Sequence, residues 1–412
     1  MSRLGIFWVT FSPADIATAK QFMDQLKGDN TVDVLGLTRT MEGVSDILFP
    51  ATSTLHKRIR YQLFVPAIIL SIYRRKKRIK PDIEIERLEY LLQRTLIDSG
   101  EKYNVFGSSR GEALKYWPST IYWASLNRLQ LWGEEPLGRS EALELIEEHN
   151  RPAASNDDGD TESAARREIE PTDGLNELCK TIFTDERMAK RLTFALAPAE
   201  ARFFQKRFLS LFPNSITSYI LKYGNRDDCR RSLFDLKCTK NPELNHLLRQ
   251  GRIYSHISMG AYYAYRWALC RQRRQADLLS RQPEEANARH FEKWLSNNLQ
   301  DARGWQYSDL TKAITGLGGS ASEKGESEFV KDFLRRAIQK KSPMKILLSL
   351  EKVVRGREEE VKGRNRSHFH NPDLQMPKNT LGADEYSDFY FEYRWTQGKE
   401  NLNDIFAGLK RR

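Results

Sequence analysis

Cationic residues are concentrated between Ile47 and Pro81, where the chain has nine lysines and arginines and no acidic residue. Such a segment attracts phosphate, and nucleic acid bound by it would be held mainly by salt-sensitive electrostatics. These contacts would carry little sequence information. Cations at a helix C-terminus are also favoured by the helix dipole, so a solvated helix end and a protein contact stay open as alternatives. The candidate nucleic-acid-binding residues are Lys57, Arg58, Arg60, Arg74, Arg75, Lys76, Lys77 and Arg78.

A second stretch, GAYYAYRWALCRQRR at 260–274, places four aromatic residues before three arginines. Aromatic rings interleaved with arginine can stack on bases and hold phosphate. A helix of this composition more often buries its rings and leaves its arginines in solvent. The core interpretation is therefore preferred for this segment.

A third group, SHFHNPD at 367–373, brings two imidazoles and a carboxylate close together in sequence. His368, His370 and Asp373 could begin a metal site if another ligand came from elsewhere in the fold. No remote ligand is evident in the sequence, and a turn built by Asn371 and Pro372 is the favoured alternative. We therefore expect no metal at this segment.

Other chemical motifs are weak. PDIEIE at 81–86 lacks the lysine of restriction-type nucleases and has a helical pattern, and NVFGSSRG at 104–111 lacks the Gly-Lys-Ser/Thr ending of a P-loop. The sequence contains no nucleophile elbow, kinase motif set or H-E-x-x-H motif. We expect no cofactor, and we expect a non-catalytic protein.

Helices must position most of these residues. In ILFPATSTLHKRIRY, Pro50 ends an apolar run, and Thr52 or Ser53 is predicted to cap a helix whose apolar face carries Leu55, Ile59 and Leu63. Pro66 either kinks that helix or starts a second one. The residues that follow are apolar in all directions, which predicts deep burial.

Three further helices have clear start signals at Pro81, Pro198 and Ser342-Pro343. The first of them is expected to stop at Asp98-Ser99-Gly100, and 251–282 is expected to form one long helix or two. Strand signals occur only near the two ends, in LGIFWVTF and in DFYFEYRW at 388–395. The predicted fold class is mainly α (α+β), a multi-helix protein with a small sheet that pairs these terminal strands.

A chain of 412 residues is too long for one ordinary hydrophobic core. The segment at 151–174, rich in Pro, Ser, Asp and Gly, marks a domain boundary. We predict an N-terminal helical domain at 1–150, an acidic linker or loop at 151–174, and a C-terminal helical domain at 175–412.

The net charge of +11 favours polyanionic partners. Four scattered cysteines are expected to be free thiols. No bilayer-spanning or signal segment is evident, so a soluble cytoplasmic protein without membrane contact is expected.

Several blocks resemble an uncharacterised bacterial family, domain of unknown function number 6361. ILFPATSTLHKRIRYQLFVP resembles its signature, and YWPSTIYW within 105–132 resembles its Pro-Ser-Ser-Ile-Tyr-Trp block. LTFALAPAEARFFQKRF, the Met259-Gly260-Ala261 helix and HNPDL followed by YRW resemble later blocks in the same order, so the resemblance extends over nearly the whole chain. Ala51 replaces the family's usual glycine, which argues against a conformation open only to glycine there. His370 occupies a variable position, which weakens the metal hypothesis.

The resemblance implies no established activity, but it associates the chain with accessory proteins of bacterial genome-defence or mobile-element loci. Three hypotheses follow. The first is a non-catalytic nucleic-acid-associated component of a larger complex, motivated by the basic segment. The second is a scaffold or adaptor that binds a protein partner, and the third is a metal-dependent hydrolase or nuclease built around His368, His370 and Asp373.

Overall fold

The computed structural model describes residues 33–75, 79–108, 116–150, 168–184, 187–297, 302–320, 324–377, 380–381, 386–389 and 391–410. Within these ranges the protein is mainly helical, and its strands form one two-stranded sheet. The helices, in chain order, are α1 (Thr38–Leu48), α2 (Tyr61–Tyr73), α3 (Pro81–Asp98), α4 (Pro118–Arg128), α5 (Arg139–His149), α6 (Leu175–Lys180), α7 (Pro198–Leu211), α8 (Ile216–Tyr223), α9 (Pro242–Gln275), α10 (Arg281–Ser296), α11 (Tyr307–Gly316), α12 (Lys324–Ala337), α13 (Pro343–Lys362) and α14 (Trp395–Lys410).

The chain divides into two compact units. The first runs from Phe49 to Arg230 and includes α14 from Thr396 onward, and the second comprises α1 and the chain from Arg231 to Trp395. The predicted boundary at 151–174 therefore falls within the sequence span of the first unit. The reason is that α6, which follows this segment, packs on α2 together with α3 and α4.

Helix α2 is the centre of the first unit. All twelve residues from Tyr61 to Ile72 are buried, as expected for a helix that is apolar on every side. Pro66 lies inside this one continuous helix, so it does not begin a second. The predicted deep burial of the segment is confirmed.

The predicted helix start at Thr52 or Ser53 is wrong, because α2 begins only at Tyr61. Thr52 Oγ1 donates to Pro50 O at 3.3 Å, and Ser53 Oγ accepts from Leu55 N at 3.3 Å. These hydroxyls therefore stabilise turns rather than cap a helix. Ala51 has a φ of +54°, in the left-handed region that glycine enters freely and other residues enter at a cost.

The helices predicted at Pro81, Pro198 and Pro343 are confirmed, and α3 ends at Asp98 as expected. The long segment that was predicted as one helix or two forms one helix of 34 residues, α9, and a separate helix that begins at Arg281. Proline at the first helical position explains why the starts were readable from the sequence.

The predicted terminal strand at 388–395 is wrong. Helix α14 begins at Trp395, and the preceding residues that the structure describes form turns and coil. Phe391 N donates to Ser255 Oγ at 3.2 Å and Tyr393 Oη donates to Gly251 O at 2.6 Å, so α9 takes up the contacts of this aromatic segment. Its proposed partner strand, LGIFWVTF, lies outside the described residues. The sheet that the structure does contain pairs two-residue strands, Phe183–Thr184 (β1) with Arg187–Met188 (β2).

Helix α9 forms the core of the second unit. Tyr263, Tyr265 and Trp267 are fully buried, which confirms that the stretch buries its rings. Its arginines are not left in solvent as expected, because Arg273 is buried too. A Cβ at Gly260 would lie 2.2 Å from the Trp294 ring, so glycine permits the close packing of α9 against α10. All four cysteines are free, as expected, and buried. Within the described ranges, no helix combines the length and apolarity needed to cross a bilayer.

Candidate functional site

Two of the predicted phosphate-binding arginines are held in ion pairs within the first unit. Arg58 binds Asp404 through two hydrogen bonds of 2.9 and 2.6 Å. Arg60 Nη2 lies 2.8 Å from Glu200 Oε1, and Arg60 Nη1 donates to Thr193 O at 2.6 Å. These bidentate contacts commit both guanidinium groups to the fold. Whether they also contact phosphate stays a prediction.

The cations beyond α2 have mixed environments. Arg74 is exposed and donates to the side chain of Asn176, whereas Arg75 forms an ion pair with Glu84 in the first turn of α3. Lys76, Lys77 and Arg78 lie outside the described residues. Of the eight predicted binding residues, the structure therefore leaves Lys57 as the exposed cation without a side-chain partner among those it describes.

The main chain at Lys57 is rigidly held. Tyr122 Oη accepts from Lys57 N at 2.8 Å and from Arg58 N at 3.2 Å, and the His56 ring stacks on Tyr122 with centroids 4.1 Å apart. Tyr122 is itself fully buried in α4. The Lys57 side chain thus extends into solvent from a fixed backbone.

Residues 190–194 run beside this turn and beside the end of α3. Leu192 N donates to Ser99 Oγ at 3.0 Å, and Phe194 N donates to Glu101 Oε1 at 2.7 Å. The Arg58 guanidinium lies 4.9 Å from the centre of the Phe194 ring. Three segments that are distant in sequence are therefore joined here: the turn before α2, the loop after α3 and the segment before α7.

The exposed residues within two positions of these contacts include Ile97, Asp98 and Gly100 beside Ser99. They also include four cations and one tyrosine, which we call the cationic face: Lys57, Lys102, Tyr103, Lys190 and Arg191. Tyr103 is 82% exposed, the largest exposure among the exposed large apolar and aromatic residues of the described chain. The four cations make no side-chain hydrogen bond or ion pair in the part of the chain that the structure describes, whereas neighbouring Glu101 accepts from a backbone amide.

Sequence reasoning missed four of these five residues. A signal was present in RMAKRLTF, which has three cations within five positions at 187–191. Nothing local indicated that this stretch would lie against the loop after α3, because the contacts join residues 93 positions apart.

The two histidines of the candidate metal cluster have different partners in the second unit. Buried Glu358 accepts from His368 Nδ1 at 2.6 Å, from Ser367 Oγ at 2.6 Å and from Tyr265 Oη at 2.7 Å. His370 is exposed and lies 3.2 Å from Glu359 Oε2. Among the residues with described placement, no group of three His, Cys, Asp or Glu is arranged to hold a metal ion.

The Glu358 cluster has a structural role that its contacts explain. Burial alone would raise the pKa of Glu358, but hydrogen bonds from His368, Ser367 and Tyr265 outweigh it and lower the pKa to about 2. The carboxylate thereby fixes the segment after α13 against α9. The predicted turn after His368 is also held by Arg273, whose guanidinium donates to three carbonyl oxygens of that segment.

Comparison with known proteins gives one match. The model of a family of unknown function, DUF6361, matches residues 1–146, which include the ILFPATST and PSTIYW blocks. The later blocks of the resemblance lie beyond the matched range. No curated protein and no solved structure matches the chain. Residues 1–146 are therefore similar to the family of unknown function DUF6361, which is the family that the sequence blocks in this range resemble.

Proposed function

We propose that this protein is a non-catalytic nucleic-acid-binding component of a larger complex and that it holds single-stranded nucleic acid at the cationic face. The observation that carries the proposal is Tyr103, 82% exposed and adjacent in sequence to the unpaired Lys102. An exposed ring beside cations suits a single strand, because every base offers a π face and each nucleotide brings a phosphate. The net charge of +11 adds a favourable long-range field.

The backbone around these residues favours a single strand over a duplex. Lys57, Lys102, Lys190 and Arg191 all lie in turns or coil. Duplex DNA is most often read by a helix or a two-stranded ribbon that enters the major groove. Loops that carry cations and a ring are better suited to follow a flexible strand.

The proposal is tested by fluorescence anisotropy with a labelled oligo-dT of about 20 nucleotides and a duplex of equal length, over a range of salt concentrations. The variant is K57Q/K102Q/K190Q/R191Q. The matched control is K340Q/K341Q/K345Q/K352Q, which removes the same charge from exposed, unpaired lysines of the second unit. If all four cations contact phosphate, the slope of log affinity against log salt should fall by about 3 for the single strand.

The control should retain most of the single-strand affinity. Equal losses in the two variants would show that net charge alone governs binding, and the cationic face would then have no special role. Undetectable binding of the wild-type protein to either oligonucleotide at low salt would refute the proposal outright.

The association with genome-defence or mobile-element loci stays a prediction, because the matched family has no known function. Within the proposed function, the half-buried Arg58 and the buried Arg60 position the face through their ion pairs and do not contact nucleic acid.

A further inference from the structure

The second unit contains a cleft of about 350 Å³ whose lining comes from α9, α10 and the start of α13. Its apolar lining consists of Trp267, Ala288 and Met344. Its polar lining consists of the ion pairs Arg274–Glu284 and Arg281–Glu285. Because Trp267 is fully buried, the accessible apolar side chains of the cleft are Ala288 and Met344, and the charged groups around them already neutralise each other.

Met344 also belongs to an exposed apolar patch on α13. Met344 and Leu348 are 46% and 44% exposed, although both are large apolar residues. Met344 and Leu348 are four residues apart on α13 and so lie on one face of that helix. Apolar side chains grouped in this way next to a concave site are typical of an interaction surface.

Four lysines surround this patch in the sequence: Lys340, Lys341, Lys345 and Lys352. All are exposed, and none has a side-chain hydrogen bond or ion pair in the chain as far as the structure describes it. Three of them lie at the N-terminus of α13, where the helix dipole disfavours positive charge. They therefore do not stabilise the helix, and they create a positive border that suits an acidic partner.

We propose that the cleft and this surface, together named the α13 groove, dock an acidic amphipathic helix from a protein partner. Apolar residues of that helix, spaced four apart, would contact Met344 and Leu348, and one would enter the cleft beside Met344 and Ala288. Its acidic residues would contact the four lysines. The proposal concerns the second unit and is independent of nucleic-acid binding at the cationic face.

The composition of the groove favours a protein helix over the other anionic partners. Its exposed apolar residues are not aromatic, whereas single-strand binding relies on exposed rings on which bases stack. A bilayer surface is broad and would span the cleft without filling it. A helix is narrow enough to place side chains inside.

The test is selection from a display library of helical peptides with randomised surface positions, performed on the full-length protein. Enriched peptides should be net negative with apolar residues at a spacing of three or four. A synthetic copy of one such peptide should bind the wild type, and its affinity should fall at least tenfold in M344S/L348S and in K345E/K352E. The control L91S/I97S, which removes two of the three exposed large aliphatic residues of α3, should leave the affinity unchanged.

Three results would overturn the proposal. The first is no enrichment, and the second is enrichment of peptides without net negative charge or insensitive to the groove variants. The third is that the groove variants reduce binding of oligo-dT or of vesicles containing phosphatidylserine as strongly as binding of the peptide. That result would assign the surface to nucleic acid or to membrane. Circular dichroism of each variant verifies that the helices are intact.

Discussion

The guanidinium of Arg60 and the carboxylate of Glu200 form a buried ion pair that joins the start of α2 to the first turn of α7. Arg60 Nη2 lies 2.8 Å from Glu200 Oε1, and the second carboxylate oxygen accepts from Ala197 N at 2.7 Å. One carboxylate thus neutralises a buried cation and caps a helix. The same carboxylate connects the basic segment to the segment that carries Lys190 and Arg191.

Removing one partner of this pair should be costly. Arg60→Ala leaves Glu200 buried without its cation, so we expect the free energy of unfolding of the first unit to fall by about 3–5 kcal/mol. Lys57→Ala, three residues earlier, removes an exposed cation and should change stability by about 0.5 kcal/mol or less. Urea denaturation monitored by circular dichroism compares the two. Similar midpoints for both variants would contradict the assignment of Arg60 to the fold.

Replacing Ala51 with glycine should raise the free energy of unfolding. Its φ of +54° carries a steric cost for any residue with a Cβ, and glycine avoids this cost. We expect Ala51→Gly to raise the unfolding free energy by up to about 1 kcal/mol, less the small loss of a buried methyl group. Thermal unfolding of the variant tests this, and a lower melting temperature would contradict it. The usual glycine of the resembled family at this position has the same physical explanation.

Two glycines of the second unit should respond oppositely to alanine. In Gly260→Ala the new methyl group would overlap the Trp294 ring, so α9 and α10 must move apart, at a cost of about 1–3 kcal/mol or more. At Gly356, on the exposed face of α13, the structure shows nothing within 4 Å of an added Cβ. Gly356→Ala should stabilise by about 0.5–1 kcal/mol. If the two variants change the free energy of unfolding equally in denaturant titrations, the result would contradict close packing of α9 on α10 at Gly260.

Glu358 should make the second unit sensitive to acid. Its pKa of about 2 lies below the ordinary value of 4.5, so ionised Glu358 contributes stability that is present above pH 4.5 and is lost as pH falls towards 2. Glu358→Gln should lower stability at pH 7 and flatten the dependence of stability on pH in that window. Glu359→Gln, at a half-exposed neighbour, should do neither. A variant of Glu358 with an unchanged acid transition would contradict the role given to this carboxylate.

Much of the helical framework was predictable because its signals are local. Pro81, Pro198 and Pro343 mark helix starts, and the apolar residues behind them repeat at helical spacing. The strand prediction at 388–395 was wrong because a coil segment can have the same alternation of aromatic residues. Phe391 and Tyr393 contact one long helix instead of a neighbouring strand.

The candidate site was less predictable because long-range pairing determines which cations are available. Arg58 and Arg60 look equivalent to Lys57 in sequence, but their acidic partners lie 346 and 140 residues away. Tyr103 gave no periodic or motif signal, since its importance lies in exposure beside residues from other segments. The local sequence identified the basic segment, but tertiary contacts determine which of its cations form ion pairs and which are exposed.

The most direct test of the central claim is the affinity of Tyr103→Ala for labelled oligo-dT, measured beside Tyr103→Phe and Tyr223→Ala. Tyr223 is also exposed in the first unit but lies outside the cationic face. We predict that Tyr103→Ala weakens single-strand binding by about 1–3 kcal/mol. Tyr103→Phe should retain the affinity because it keeps the ring, and Tyr223→Ala should retain it as well. Unchanged affinity of Tyr103→Ala, or an equal loss in Tyr223→Ala, would contradict base stacking at the cationic face.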